Sequence, residues 1–316
     1  MIIMEVSINI LNFNTYEKSC VCIDSCLNQI GIEFQILLID NASTDDSFDR
    51  LKNKYGDRIQ YLQTGMNYGY AGGNNCGVKF CLENHISYVL LLNSDTELVG
   101  NTLLSNLVKI AKTNDNCAIV APTIYEVRNK ELIKYTNDSS YNRYLRRIRT
   151  LPHNRVISTN LETISEAHGS ALLVKCQDFL QVGGFPDHYF MYCEESTLSK
   201  KILWSKRDII WYNSDTNYVF HHHDYTKQTS SWMLILGGRN RFLEFSENFK
   251  WRNFSWIFVF LLLMFKTLIL SLANRNNKYL FKGMILGFKQ SVKKISHKEK
   301  YTLGKEIYLR YKDNLN

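Results

Sequence analysis

Along the first 125 residues, short apolar runs alternate with amphipathic stretches in a steady rhythm. VSINILNF, FQILLID, IQYLQTG, SYVLLLNSD and CAIVAPTIY read as strands. EKSCVCIDSCLNQ, TDDSFDRLKNKYG, GGNNCGVKFCLENH and NTLLSNLVKIAKTN read as helices, the second with Thr44 or Asp45 near its cap. Continuous apolar strands separated by helices predict an α/β fold with a mainly parallel sheet, because crossover helices must cover both faces of such a sheet. Strand-like sequence returns at SALLVK and IIWYNSDTNYVFHHH, and no internal repeat is evident. Residues 137–160 break the rhythm: they are polar, hold five arginines and contain Pro152, and are expected to form a long mobile loop.

Three apolar runs end on polar residues: Asn12, Asp40 and Asn93-Ser94-Asp95. In an open parallel sheet, ligands sit beyond the carboxyl ends of the strands. Each residue can also cap the helix that follows, but three such ends on one edge outline a crevice. GMNYGYAGGNNCGV places five glycines within residues 65–77. It is neither a P-loop nor a dinucleotide fingerprint, so alone it marks only a place where backbone can approach a ligand closely.

Together these pieces resemble the family 2 glycosyltransferases, especially the rhamnosyltransferase-like branch that builds bacterial surface polysaccharides. The matching stretches are ILNFN, LLIDNASTDDS, NYGYAGGNNCG, LLLNSDTEL, HGSALLVKCQDFLQVGGFPDHYFMYCEES and VFHHH, in the family's order over about residues 5 to 225. The resemblance implies a GT-A-type Rossmann-like sheet with helices on both faces, a nucleotide-sugar donor and a divalent cation, Mg2+ or Mn2+. It implies that Asn12, Asp40 and Asn41 line the nucleoside pocket, flanked by Asn67, Gly69, Gly73 and Asn75. Asn93-Ser94-Asp95 matches the Asp-x-Asp-like element, in which Asp95 holds the metal. Gly184 and Asp187 fall on the acceptor side. Glu194-Glu195 matches the Glu-Asp pair, with Glu195 as general base. His221 best matches a histidine near diphosphate and metal, with His222 and His223 as alternative registers. The chain departs from the family at Pro186, at Thr197 and at Ser94, where proline is common.

The chemistry explains these residue types. A departing sugar diphosphate carries two or three negative charges, which a cation on hard oxygen ligands neutralises. The acceptor hydroxyl must lose a proton as it attacks, and a nearby carboxylate accelerates that by about 10²–10⁴-fold. Close like charges raise one pKa of a carboxylate pair. Glu194-Glu195 also suits a solvated helix start, three histidines suit a surface turn, and HYFMYC reads as core.

Charge is unevenly placed. Residues 251–316 carry thirteen Lys and Arg against three Asp and Glu, which leaves the first 250 residues near neutral. Residues 254–273 are the most apolar stretch, long enough to span a bilayer but holding Lys266. The expected division is a glycosyltransferase domain at 1–245 and a basic, apolar helical region at 246–316. That region is expected to bind a membrane surface by lying on it or inserting shallowly, with a span or a buried soluble helix as alternatives. Nucleic acid is not an expected partner. The eight cysteines, three in C-x-C-x3-C, read as reduced thiols. The N-terminus lacks a basic stretch and a small-residue cleavage site, so no secretory signal is expected.

The reading is an inverting, metal-dependent glycosyltransferase at the cytoplasmic face of a bacterial inner membrane. It moves a sugar, dTDP-rhamnose being one donor of the branch, to a lipid-linked saccharide of O-antigen or capsule. The rivals are a non-catalytic nucleotide-sugar-binding subunit of a polysaccharide assembly complex and a sugar-phosphate nucleotidyltransferase.

Overall fold

The structure, a computed structural model, describes residues 4–128, 131–135, 139–142, 147–150, 160–222, 230–248, 265, 277–293 and 295–311. In chain order its elements are β1 (Val6–Asn12), α1 (Tyr16–Leu27), β2 (Gln35–Asp40), α2 (Ser47–Tyr55), β3 (Gln60–Gln63), α3 (Gly69–Glu83) and β4 (Tyr88–Asn93). There follow β5 (Thr96–Val99), α4 (Leu103–Thr113), β6 (Cys117–Pro122), β7 (Ile124–Arg128), β8 (Glu131–Tyr135), β9 (Ser139–Asn142), β10 (Arg147–Thr150), β11 (Leu161–Thr163) and β12 (Ala171–Lys175). The remainder is α5 (Cys176–Gln181), α6 (Glu194–Trp204), β13 (Asp208–Tyr212), β14 (Tyr218–His221), α7 (Ser231–Asn248), α8 (Asn277–Val292) and α9 (His297–Tyr311).

These elements form two compact units. One comprises Met1–Tyr68, Gly73–Phe185 and Leu198–Tyr225; the other comprises Gly69–Gly72, Pro186–Thr197 and Thr226–Asn316. The second unit takes in α7 and the 186–197 segment.

In the first unit, eight strands lie in the order β11-β13-β6-β12-β4-β1-β2-β3. The ladders β3-β2, β2-β1, β1-β4 and β6-β13 are parallel, while β12 and β11 pair antiparallel with their neighbours. The apolar runs explain this. Leu90, Leu91 and Leu92 are buried on both faces of β4, and each such side chain contributes roughly 1.5–3 kcal/mol of burial. CAIVAPTIY was read as one strand but divides at Thr123: β6 stays in the large sheet, and β7 joins a second sheet in the order β5-β14-β7-β8.

Helix α1 turns Ser19, Cys22, Ile23 and Cys26 inward. All eight cysteines are unbridged, so the C-x-C-x3-C stretch serves packing. Helix α3 starts at Gly69, three residues earlier than the glycine pair suggested. The reason is steric. A Cβ at Gly73 would lie 2.6 Å from Leu11 Cδ1, and one at Gly77 would lie 2.2 Å from Ile39 Cδ1. The glycines let the helix press against β1 and β2 near their carboxyl ends.

The second unit is helical. Helices α7 and α8 pack with main chains almost touching: a Cβ at Gly238 would lie 2.2 Å from Leu280 O, and one at Gly283 would lie 2.1 Å from Ile235 O. Phe190, Trp232 and Leu236 form its apolar centre, with Tyr301, Ile307 and Tyr308 around them. Tyr189 and Phe190 of HYFMYC are thus core residues. The expected 137–160 loop lies largely outside the described residues, although β9 and β10 within it pair antiparallel. The 254–273 stretch also lies outside them, apart from Phe265. Among the described residues, no helix is long and apolar enough to cross a membrane.

Candidate active site

Strand register sets the first group of polar residues, all within the first unit. Asn12 lies opposite Asp40 across β1 and β2, and Leu11 opposite Asn93 across β1 and β4. The three polar strand ends therefore stand side by side on one sheet edge. Asn12 Nδ2 donates to Asp40 Oδ1 at 3.1 Å and to Ser43 Oγ at 3.0 Å. Asn12 Oδ1 accepts from Ser19 Oγ at 2.9 Å. Thr15 Oγ1 lies 2.9 Å from Asn12 Oδ1 and 3.0 Å from Ser94 Oγ, so one network joins the ends. Asp40 is buried, and Ser43 donates to it through both hydroxyl (2.5 Å) and main-chain N–H (3.2 Å). Those donors offset the desolvation of its charge. Asp45 Oδ1 accepts from Ser47 N–H at the start of α2, while Asp46 occupies the cap position.

Asn41 faces the loop before α3: its Nδ2 donates to Asn67 Oδ1 (3.1 Å), and its Oδ1 accepts from Tyr68 N–H (3.1 Å). Gly73 packs against the same Asn41 amide. Asn75 behaves differently. Its Nδ2 donates to Phe185 O (2.9 Å) and its Oδ1 accepts from Phe185 N–H (3.0 Å). The resemblance implied a place in the loop flanking the nucleoside pocket; here this amide holds the Gly183-Gly184-Phe185 turn.

The second sheet builds the other group. β5 begins immediately after Asp95. β14 pairs with it so that His221 faces Thr96, and β14 pairs with β7 so that His221 faces Glu126. His221 Nε2 lies 3.4 Å from Asp95 Oδ1, and its Nδ1–H donates to Glu126 Oε1 at 2.6 Å. Lys18 Nζ lies 3.3 Å from Asp95 Oδ2. Burial opposes ionisation of Asp95, but the hydrogen bond and charge of His221, with Lys18, overcome it and hold the carboxyl at about 2. Burial likewise opposes a charge on His221, but its two carboxylates raise it to about 9. His222 turns away: its Nε2 is 3.0 Å from Glu97 Oε2. Of the two described histidines of the triplet, His221 is thus the one at Asp95; His223 lies outside the described residues.

A divalent ion suits this geometry. Asp95 supplies a hard oxygen and His221 a ring nitrogen, and the bond from Nδ1–H to Glu126 leaves Nε2 as the ligand atom once its proton is lost. Glu126, His168 and His221 each bring a ligand atom within 4.8 Å of the others. Lys18 already provides positive charge where the ion would. A cavity of about 210 Å³ opens beside Asp95, lined also by Glu17, Lys18, Val21 and His222. Lys18, Glu126 and His168 escaped the reading of the sequence. Only His168 had a signal there, as the first residue of HGSALLVK.

Glu194 and Glu195 belong to the second unit, in the first turn of α6. Glu194 is buried with Oε2 unpaired by hydrogen bonds. Burial, then the charge of Glu195, raise its pKa well above the usual carboxylate range. Burial also raises Tyr70, and both glutamates add to that. The turn before them is strained: Phe190, Tyr192 and Cys193 have φ of 68°, 77° and 68°. Bulky residues there cost about 1–3 kcal/mol each and persist only where surroundings enforce them. Asp187 is lowered by its hydrogen bond to His188.

His188, Glu247 and His297 also gather potential ligand atoms within 4.8 Å. The two rings, however, stack 4.1 Å apart at 10°. One ion cannot lie in the plane of both, and Lys300 Nζ sits 2.5 Å from Glu247. The stacked rings and the Lys300 contact fit a hydrogen-bonded cluster on Glu247 better than a metal centre.

Comparison with known proteins gives a coherent outcome. A sequence profile described as Glycosyl transferase family 2 matches residues 7–172. The low-salt glycan biosynthesis hexosyltransferase Agl10 of Haloferax volcanii is 28% identical over 78% of this chain and 76% of its own. The UDP-Glc:alpha-D-GlcNAc-diphosphoundecaprenol beta-1,3-glucosyltransferase WfaP of Escherichia coli is 30% identical over 34% of this chain and 41% of its own. Rhamnosyltransferase WbbL of Escherichia coli is 26% identical over 46% of this chain and 57% of its own. GalNAc-T7, solved with UDP, GalNAc and Mn2+, superposes with a TM-score of 0.60 at 12% identity, over 77% of this chain and 48% of its own. Staphylococcus aureus TarS 1–349 with UDP gives 0.54 at 15% identity, over 77% and 65%. The fold is GT-A-like.

Proposed function

The chain belongs to glycosyl transferase family 2, and from that premise we propose that it transfers a hexose from a nucleotide sugar to a lipid-linked saccharide with inversion at the anomeric carbon. The observation that carries this reading is the line Asp95–His221–Glu126, a carboxylate and an oriented imidazole at the rim of the sheet. Asp95 and His221 would hold Mn2+ or Mg2+, which would supply positive charge for the departing diphosphate. A ring-nitrogen ligand favours Mn2+ of the two. Asn41, Asn67 and Gly73 face the nucleoside. Asn12 and Asp40 hold the strand ends that support it.

Glu195 acts as base. Glu194, buried and beside a like charge, holds its proton tightly, and Glu195 is the other carboxylate of the pair. Its carboxylate takes the acceptor hydroxyl proton. The acceptor oxygen forms its bond to the anomeric carbon from the face opposite the diphosphate. The bond from that carbon to the phosphate oxygen breaks, and its electron pair leaves with the nucleoside diphosphate. Gly184 and Asp187 border the acceptor.

WfaP's name states a diphosphoundecaprenol-linked acceptor, and WfaP and Agl10 are both named for hexosyl transfer. These names favour a polyprenyl-diphosphate saccharide as acceptor and a UDP-hexose as donor, with an activated rhamnose, dTDP-rhamnose, in the test set because WbbL is named a rhamnosyltransferase. The basic C-terminal region favours a peripheral seat on an anionic membrane face, at about 1 kcal/mol per well-placed Lys or Arg.

The test is a transfer assay with a panel of UDP-, dTDP- and GDP-hexoses, Mn2+ and undecaprenyl-diphosphate GlcNAc. Product is expected with one donor class, and Asp95→Ala and Glu195→Gln should each lower turnover by about 10²–10⁴-fold. Near-native turnover in both variants defeats the assignment.

A further inference from the structure

Arg239 is the largest wholly buried side chain among the described residues. Among the described residues its hydrogen-bond partners are neutral oxygens. Its Nε donates to Gln290 Oε1 at 3.0 Å, its Nη atoms to His188 O at 3.4 and 3.3 Å, and Nη2 to Lys300 O. Burial lowers its pKa to about 10, still far above neutrality. Nη1 also donates to Asn240 Oδ1 at 2.7 Å. That contact fixes which way the Asn240 amide faces, since the guanidinium has only donors and must meet the oxygen. The NH2 end then points at the turn before α6. It lies 3.0 Å from Tyr189 O, 2.6 Å from Met191 O and 3.0 Å from Tyr192 O.

So two adjacent residues of α7 gather four carbonyls from residues 188–192. Those carbonyls converge only because Phe190 and Tyr192 adopt left-handed φ, and the next two residues after Cys193 are Glu194 and Glu195. The opposite side of the turn is closed as well. Ala71 N–H donates to Phe190 O at 3.4 Å, and Gly69 passes so close that a Cβ there would lie 2.0 Å from the same oxygen. A strained turn held from two sides fixes the start of the helix that follows, and with it the direction in which Glu194 and Glu195 leave the backbone.

We propose that Asn240, oriented by Arg239, is a positioning residue for the reaction: it holds the 188–192 turn in the shape that presents the Glu194–Glu195 pair. This rests on Glu195 being the base, as argued above. The C-terminal helices thereby gain a part in the chemistry through α7, in addition to any part at a membrane.

Full-length Asn240→Asp tests it, because aspartate keeps the shape and removes both donors. Asn240→Gln, which keeps the donors but displaces them, stands in if the first variant does not fold. Amide exchange at residues 190–197 should quicken at least about tenfold, with exchange in α8 unchanged. Affinity for UDP with Mn2+ should stay within about twofold. With the donor and acceptor found by the panel, kcat should fall by about 10–100-fold while donor KM holds, and the acid limb of kcat should move. Unchanged exchange at 190–197, exchange raised equally throughout the molecule, or a parent-like kcat and pH profile overturns the proposal. Full activity in Glu195→Gln defeats the base assignment instead and leaves the exchange result to stand by itself.

Discussion

Around Asp95 the neighbours arrive on strands. Thr96, His221 and Glu126 are brought into line by two short ladders, so hydrogen-bond register alone decides which side chains meet. Around Glu194 and Glu195 the supporting groups arrive from a helix well downstream in sequence, and they act on main-chain carbonyls. The first arrangement specifies a cluster of charges. The second specifies a backbone path and leaves one carboxylate, Glu194, without a hydrogen bond on Oε2. A ligand site for an ion needs fixed donors at fixed spacing, which a sheet supplies. Burial beside a like charge keeps the proton on Glu194, and the held turn sets the direction of Glu195, the proposed proton acceptor.

The sharpest way to break this contrast is Glu126→Gln. If the strand-borne cluster orients His221, the change should weaken Mn2+ binding by about 10–100-fold in calorimetry, because a neutral amide no longer fixes the ring's tautomer. Unaltered affinity removes Glu126 from the account. The Glu194 side should not respond, so exchange at 190–197 should match the parent.

Next in size is the effect of pH on the metal-free protein. The folded-state pKa of His221, about 9, lies above the ordinary value near 6.5. Its pairing therefore stabilises fully below about pH 6.5, and that contribution is lost as pH rises through about 9. Asp95, held at about 2 against an ordinary 3.8, contributes above about pH 4 and loses its contribution as pH falls toward 2. Thermal melts between pH 6.5 and 9 should show a decline in Tm that is shallower in Glu126→Gln. Mn2+ affinity should rise across the same window, since the ion competes with the proton on Nε2. Parallel Tm curves for the two proteins contradict the pairing. The smallest effect belongs to His222→Ala, expected to alter Mn2+ affinity less than about twofold because that ring meets Glu97. A larger loss shifts the ligand assignment by one residue.

The frame and the polar strand ends were legible in the sequence for a simple reason. A parallel strand buried on both faces is continuously apolar, so the residue that ends it, such as Asp40 or Asp95, stands out. Glu126 was not legible, because it sits in a short strand of mixed character and meets its partner 95 residues away. The histidine triplet gave no register, since three identical neighbours carry no pattern; only the pairing of β14 separates His221 from His222. Asn75 looked like part of a glycine-rich ligand loop, yet its amide pairs with Phe185 110 residues later. Asn240 lies in GGRNRF, an ordinary polar stretch of helix, and its role depends on where carbonyls point, which composition does not encode.

The near-contact of α7 and α8 at Gly238 and Gly283 bears on how the chain can be dissected. Cutting it after residue 250 deletes α8 and α9, and with them Gln290 and the Lys300 carbonyl, two anchors of a guanidinium sealed from solvent. Such a fragment leaves a stranded cation and a bare glycine groove, so its tendency to sediment with vesicles reports damage to the protein, not the loss of an anchor. Reversing charges at exposed lysines such as Lys289 and Lys298, with every helix retained, is the cleaner way to ask whether this region draws the protein to lipid.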